Sequence, residues 1–357
     1  MERLCLYEWA AAGGLEGPDG NRVATEPALA DVVRREGVAM LATLARLAAL
    51  LPRCTTRVLV GDGVSWEPPA GVELVRVPRG RERDALAVAA ATTDWLLVVA
   101  PETAGILEQR LCLAHASTCR VVGPTAAFAA LAADKHATIQ ALAAAGVPVP
   151  AGRLLRAGET PPAGFHLPMV RKARGSVGCD GVRVIHDRDQ DGGPALGEER
   201  LEAFAQGLPI SVSLLCGPAG AVPLPATMQR LSSGASPHYL GGRLPVPARL
   251  AARAERLAGR AVFALARYVP EPPDGPRSLV GWMGVDMILG DREDGREDRV
   301  LEVNPRVTTS LVGLAAFCRE NLLGALLKVA GGEIPELAFD LPPADAPRDF
   351  AASPCPA

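Results

Sequence analysis

Within the first 123 residues, five short apolar runs at 4–7, 58–60, 72–77, 96–99 and 120–122 alternate with Ala-, Leu- and Arg-rich stretches of helical period. Strands buried on both faces read as continuous apolar runs, and their alternation with helices is the pattern of a parallel sheet. Ligands of such sheets sit beyond the carboxyl ends of the strands. Glu8 and Trp9, after the first run, and Glu102, after the fourth, are therefore candidate substrate contacts.

The texture changes after Gly123. A helix is expected over 134–145, ending at Gly146, with Val147-Pro148-Val149-Pro150 imposing an extended exit. Segments 169–173 and 182–185 read as a hairpin joined by a mobile glycine-rich connection, 175–181. Strands near 210–215, 282–289 and 300–304 and a helix near 249–268 follow, and a Pro/Ala-rich tail from about 341 is expected to be loose. The expected units are residues 1–123, 124–215, 216–340 and a flexible 341–357.

Charge and composition narrow the partners. With 37 cationic and 40 anionic side chains and only short basic clusters, the chain lacks the footprint of a nucleic-acid binder. The most apolar stretches, 38–51 and 85–100, carry Arg46 and Asp94, so no membrane span is expected, and no leader pattern opens the chain. Eight cysteines with no Cys-x-x-Cys pair fit a reducing cytoplasm. Five scattered histidines without His-Glu-x-x-His read as packing or surface residues.

Only three lysines, Lys135, Lys172 and Lys328, stand beside 34 arginines. Lysine is a compact charge on a thin stem, suited to a phosphate oxygen at the end of a narrow approach. Lys172 ends a strand just before Gly175-Ser-Val-Gly-Cys-Asp-Gly181, whose small residues, Ser176 and Gly178 among them, let backbone N–H groups approach phosphates. Lys135 opens a helix, with nothing local to mark it, and Lys328 closes one, where the helix dipole favours a cation. In the late strand pair, period-two alternation puts Met283, Val285, Met287 and Leu289 on one face and Asp286 on the other, with Glu302 and Asn304 available from the partner strand. One Asp, one Glu and one Asn suit magnesium, a hard cation that shares oxygen ligands with nucleotide phosphates. The acids of the charged link 291–298 are expected to be solvated instead. Arg306 and the hydroxyls of Thr308, Thr309 and Ser310 add donors suited to a transferring phosphoryl group.

Taken in order, Asp134-Lys135 with Gly146-Val-Pro-Val-Pro150, Arg171-Lys172 with its glycine loop, Asp286, and Leu301-Glu-Val-Asn-Pro-Arg306 resemble the ATP-grasp superfamily over about residues 120–330. The resemblance implies an ATP-grasp fold: a Rossmann-like parallel-sheet α/β domain followed by two α+β subdomains that clamp ATP. It implies Lys135 and Lys172 on the phosphates, Asp286, Glu302 and Asn304 on Mg2+ or Mn2+, Arg306 on the γ-phosphate or acyl phosphate, and main-chain groups of Phe204, Ala205 and Gln206 on the adenine. The chain departs from the pattern around Gly207, where Ala203, Leu208 and Pro209 replace the glutamates often found there. Tyr7-Glu-Trp-Ala-Ala-Ala-Gly-Gly14, Ala100-Pro-Glu-Thr103 and Tyr239-Leu-Gly-Gly242 resemble the branch containing tyramine-glutamate ligase of methanofuran synthesis. That branch implies a small carboxylate and a small amine as substrates, with Arg230 and Arg243 as contacts for an anionic one, and leaves a homodimer open. The competing expectation is an ATP-binding protein of the same fold without turnover; a dinucleotide-dependent oxidoreductase is disfavoured because no Gly-x-Gly-x-x-Gly follows the first strand.

Overall fold

The structure is a computed structural model and describes residues 1–16, 27–176, 181–188, 193–271 and 277–351. All five predicted runs of the N-terminal part are strands: β1 (Glu2–Glu8), β2 (Cys54–Gly61), β3 (Val72–Val77), β4 (Trp95–Val99) and β5 (Arg120–Val122). They pair in parallel in the order β3-β2-β1-β4-β5. Alternation divides their side chains between two layers. Leu4, Leu6, Val58, Val60, Leu97 and Val99 pack with Met40, Leu41 and Leu44 of α1 (Pro27–Ala49). Cys5, Tyr7, Leu59, Leu96 and Val98 pack with Leu86 of α2 (Glu82–Thr92) and Leu107 and Leu111 of α3 (Ile106–His115). The strand order reverses between β1 and β4, which makes the ends of these two strands the switch point.

Helix α4 (Ala126–Ala133) leads into α5 (Lys135–Ala144), the helix expected over 134–145. Asp134 caps α5, accepting the N–H groups of His136 and Ala137 at 3.0 Å, and Gly146 leaves it with φ +72°. A four-stranded antiparallel sheet follows, β6 (Gly152–Leu155), β7 (Met169–Ala173), β8 (Arg183–Ile185) and β9 (Glu199–Ala203), in the order β6-β9-β7-β8. Its core is small: Leu155, Met169, Ile185, Ala195 and Leu201.

The third sheet is antiparallel and built from β10 (Leu208–Gly217), β11 (Gly220–Pro223), β12 (Thr227–Leu231), β13 (Tyr239–Leu244), β14 (Gly281–Leu289), β15 (Arg299–Asn304) and β16 (Arg348–Phe350). Its order is β15-β14-β10-β12-β13-β16, with β11 beside β10. One face packs on α6 (Ala248–Ala266), through Ile210, Val212, Met283, Val285 and Met287 against Leu257, Ala258, Ala261 and Leu265. The helices α7 (Ser310–Ala315) and α8 (Leu322–Ala330) contribute Leu311, Leu314, Leu322 and Leu326 to the core that contains α1 and the parallel sheet, so the two large sheets share apolar packing. Among the described residues no helix is long and apolar enough to cross a membrane.

Three expectations are revised. The large sheet takes its central strand, β10, from residue 208 onward, ahead of the expected boundary at 215, because Leu208–Cys216 pair with Gly281–Leu289 along their whole length. The tail is tied down where it is described: β16 adds to β13, and the Phe350 ring fills the space left by Gly242 and Gly313, where an added Cβ would lie 2.1 and 2.4 Å from it. Asp298, expected to be solvated with its charged link, is buried, accepting the Gly290 N–H at 3.1 Å with Arg253 Nε 3.0 Å away; it secures the turn and does not face the site.

Candidate active site

The acidic centre follows from strand register. β15 sets Glu302 opposite Asp286 and Asn304 opposite Gly284, while β10 sets Ser211 opposite Asp286 on the other side. Since Met283, Val285 and Met287 occupy the α6 face, Asp286 is turned to the opposite one. There Asn304 Nδ2 donates to Asp286 Oδ2 at 3.2 Å. Burial and the adjacent Glu302 push the Asp286 carboxyl up to about 7, against hydrogen bonds from Ser211 and Gln229. Burial opposes ionisation of Glu302 as well, but Lys135 and then Lys172 outweigh it, so this carboxyl lies below its ordinary value.

Both lysines reach this centre from other elements. Lys135, in the first turn of α5, places Nζ 2.9 Å from Glu302 Oε2 and donates to the Ser176 carbonyl at 2.5 Å. Burial disfavours its charge, yet Glu302, with Glu102 and Asp286, holds the ammonium above its ordinary pKa. On β7 the alternation sends Arg171 towards Glu199, 2.7 Å away, and Lys172 to the opposite face. There Lys172 Nζ lies 2.9 Å from Glu202 Oε2 and donates to the Leu301 carbonyl at 3.3 Å, which joins the small sheet to β15. Lys135 and Lys172 are only 5% and 6% exposed, and each is held against a carboxylate.

A third cation arrives from the end of β15. Arg306 Nε donates to both carboxylate oxygens of Glu102 at 3.0 Å, and Nη1 to the Val307 carbonyl at 3.2 Å. Burial works against its charge and is outweighed by Glu102, then Glu36 and Glu302. Glu8, at the end of β1, is buried and accepts the Ala11 N–H at 2.7 Å. Burial pushes its carboxyl up to about 7, with Glu36 adding to the rise and the Ala10 and Ala11 N–H groups and Arg306 opposing it. Trp9 is buried beside it, and its indole N–H finds no hydrogen-bond partner among the described residues. The carboxyl end of the parallel sheet thus meets the acidic centre at Arg306. Ser310 Oγ lies 2.9 Å from Ser213 Oγ and 2.7 Å from Thr308 Oγ1, a hydroxyl chain behind it.

Other expected residues sit as follows. Ser176 takes part through its carbonyl; Gly178 lies outside the described residues. Phe204, Ala205 and Gln206 link β9 to β10, and the Phe204 N–H is donated to the Pro168 carbonyl at 3.2 Å. Arg230 and Arg243 stand on β12 and β13 at the sheet's far edge, paired with Asp349 at 3.1 and 2.6 Å.

Two family models match the chain, one described as an ATP-grasp domain over residues 132–310 and one as a pre-ATP-grasp domain over residues 54–127. The chain belongs to the ATP-grasp family. It has the fold expected from its motifs. The match to solved structures is broad. An ATP-grasp superfamily protein from Archaeoglobus fulgidus superposes with a TM-score of 0.65 at 20% identity, over 94% of this chain and 89% of that one. N5-carboxyaminoimidazole ribonucleotide synthetase from Thermotoga maritima gives 0.61 at 18% identity, over 94% and 77%. D-alanine–D-alanine ligase from Bacillus anthracis, complexed with ATP, gives 0.56 at 17% identity, over 92% and 97%. At these identities the likeness is one of fold. No curated protein matches the chain in sequence.

Within this ATP-grasp protein, sequence reading did not assign Glu202 as the partner of Lys172, Arg200 as the second donor to Glu202, or Arg174, which bridges Asp134 and Glu198. The signal available was period-two alternation on β7 and β9: Lys172 and Glu202 must share a face once the strands pair antiparallel. The pairing itself was not legible.

Proposed function

We propose that this ATP-grasp chain is an ATP-dependent carboxylate–amine ligase that forms an amide through an acyl phosphate. The observation that supports it best is the convergence of two buried ammoniums, Lys135 and Lys172, with the Asp286–Glu302–Asn304 group and the Arg306–Glu102 pair. Lys135 and Lys172 bind phosphate oxygens, exchanging Glu302 and Glu202 for them. Asp286, Glu302 and Asn304 are an oxygen donor set that fits Mg2+: two adjacent half-buried carboxylates, one of them driven towards its neutral form, are what a divalent cation would relieve. Among the described residues no group of three or more His, Cys, Asp or Glu side chains gathers as a metal site, so such an ion would draw its remaining ligands from nucleotide phosphates and water. Bound there, it would neutralise phosphate charge.

The carboxylate oxygen of the acid substrate attacks the γ-phosphorus and the bond to the β-phosphate oxygen breaks, releasing ADP. Arg306 orients the transferring group at the mouth of the parallel sheet. The substrate ammonium gives up one proton to solvent, the free amine nitrogen attacks the acyl carbon, phosphate leaves with the C–O bond pair, and the nitrogen loses its second proton to the departing phosphate. Positioning and fixed cations supply the catalysis, with no protein nucleophile. The Tyr7–Gly14, 100–103 and 239–242 motifs favour glutamate as the acid, joined to tyramine, tyrosine or a similar amine in the synthesis of a methanofuran-type cofactor in the cytoplasm.

The purified protein is to be incubated with Mg–ATP and pools of amino acids and amines while ADP, AMP, phosphate and amide are followed. ADP, phosphate and amide should appear in equal amounts. AMP release would overturn the acyl-phosphate route, and ATP binding without release of ADP in any pool would favour a binding protein without turnover.

A further inference from the structure

A cavity of about 360 Å3 opens beside the catalytic cations, between the segment after β4, helix α4 and the start of the glycine loop. We infer that this cavity binds the amine substrate, a primary ammonium on a small apolar body; the inference rests on reading the site as that of a ligase. Three observations carry it.

One wall is apolar, and the cavity is open to solvent on the other side. Leu107 of α3 and Ala129, Ala130 and Ala133 of α4 line the cavity, and alanine at three positions of one helix face leaves room that larger residues would fill. The volume exceeds that of a water cluster and suits a ligand the size of a phenyl-ethyl group.

The rim is anionic. Glu102, Glu108, Asp134 and Glu198 line it; Arg306 engages Glu102 and Arg174 engages Asp134 and Glu198, which leaves Glu108 without an ion pair among the described residues. The Arg174 guanidinium has Asp134 Oδ2 2.9 Å from its Nε and Glu198 Oε2 2.8 Å from Nη1. A second anionic substrate would be repelled here, whereas an ammonium gains charge-assisted hydrogen bonds.

The cavity is also connected to the chemistry. Glu102 lines it while holding Arg306 through both carboxylate oxygens, and Asp134 immediately precedes Lys135. The turn that presents Glu102 holds two left-handed residues in succession, Ala104 at φ +54° and Gly105 at φ +68°, and a non-glycine residue in that region is kept at a cost.

The test uses phenethylamine and its anionic counterpart 3-phenylpropionate as probes, titrated into the full-length protein with Mg–ADP present and followed by calorimetry. Phenethylamine should bind and 3-phenylpropionate should not. Ala130→Phe, which fills the cavity at a half-exposed position, should abolish the binding. Glu108→Gln, which keeps the volume and removes an exposed charge, should weaken it about two- to fivefold. Absence of phenethylamine binding, equal binding of the anion, or undiminished binding by Ala130→Phe would each overturn the inference. Mg–ADP affinity, measured on the same samples, reports separately on the nucleotide site, so its loss would count against the ligase reading and its retention isolates the result to the cavity.

Discussion

At the scale of single residues, the two site lysines do different work. Lys172 is shared between Glu202 and the Leu301 carbonyl, and Glu202 keeps Arg200 as a second partner if the lysine is lost. Lys172→Ala is expected to lower turnover by at least about 100-fold while the circular dichroism spectrum stays unchanged. Lys135 is ion-paired with Glu302, a half-buried glutamate that already faces Asp286. Lys135→Ala is therefore expected to remove activity and also to cost up to about 3–5 kcal/mol of stability, read by urea unfolding, because the carboxylate loses its ion-paired ammonium and keeps only the more distant Lys172. Equal stability of the two variants would show that Lys135 does not carry that charge balance. Glu8 makes a further prediction. Its folded pKa of about 7 lies above the ordinary glutamate value, so between pH 4.5 and 7 the folded state holds the proton more tightly than the unfolded chain. Stability then falls as pH rises through this window, by up to about 3 kcal/mol. Glu8→Gln should flatten that part of the stability–pH curve; an unaltered slope would assign the dependence elsewhere.

At the scale of elements, the joint between the small and large sheets depends on one backbone position. Gly207 has φ +144°, and a Cβ there would lie 2.1 Å from the Leu289 carbonyl oxygen, at the point where β10 starts its pairing with β14. Gly207→Ala is expected to cost about 1–3 kcal/mol from the backbone conformation, more if β14 must shift, with a lowered thermal midpoint and weaker nucleotide binding. A midpoint like that of the parent would show that the strands adjust without strain. The same joint shows what the chain discloses about itself. The five parallel strands, helix α5 with its Asp134 cap and the β14–β15 pair are all legible, because apolar period, capping residues and glycine stops are local properties. Lys172–Glu202 and Arg306–Glu102 are not, since the second pair joins residues 204 positions apart and depends on sheets that pack only after folding. Strand β16 escaped for a related reason: a Pro/Ala-rich segment has weak strand propensity, and what orders it is the Phe350 ring over Gly242 and Gly313 and the Asp349 carboxylate between Arg230 and Arg243.

Across the whole molecule, apolar packing is distributed unevenly among the three sheets. The parallel sheet and the C-terminal helices share one core, in which Leu4, Val58 and Leu97 are continuous with Leu311, Leu322 and Trp282. Among the described residues the small sheet rests on five buried apolar side chains, with the ion pairs of Arg171, Lys172 and Arg200 between its strands and their neighbours. Burial contributes roughly 25 cal/mol per Å2 of apolar surface, whereas ion pairs repay much of their attraction as desolvation, so the small sheet has the lower free energy of opening. Amide hydrogen exchange should accordingly be fastest in β6–β9 and slowest in β1, β4, β10 and β14. On the proposed reading Mg–ATP is held by Lys135 and Lys172, and a ligand that binds only the folded state stabilises it by RT ln(1 + [L]/Kd), about 2.7 kcal/mol at a hundredfold excess over Kd. Added nucleotide should therefore slow exchange about 100-fold in β7 and β9, with little change in β2 and β3 at the far edge of the parallel sheet. Uniform exchange across the three sheets would show that they open as a single unit, and protection confined to the parallel sheet would move the nucleotide away from the two lysines.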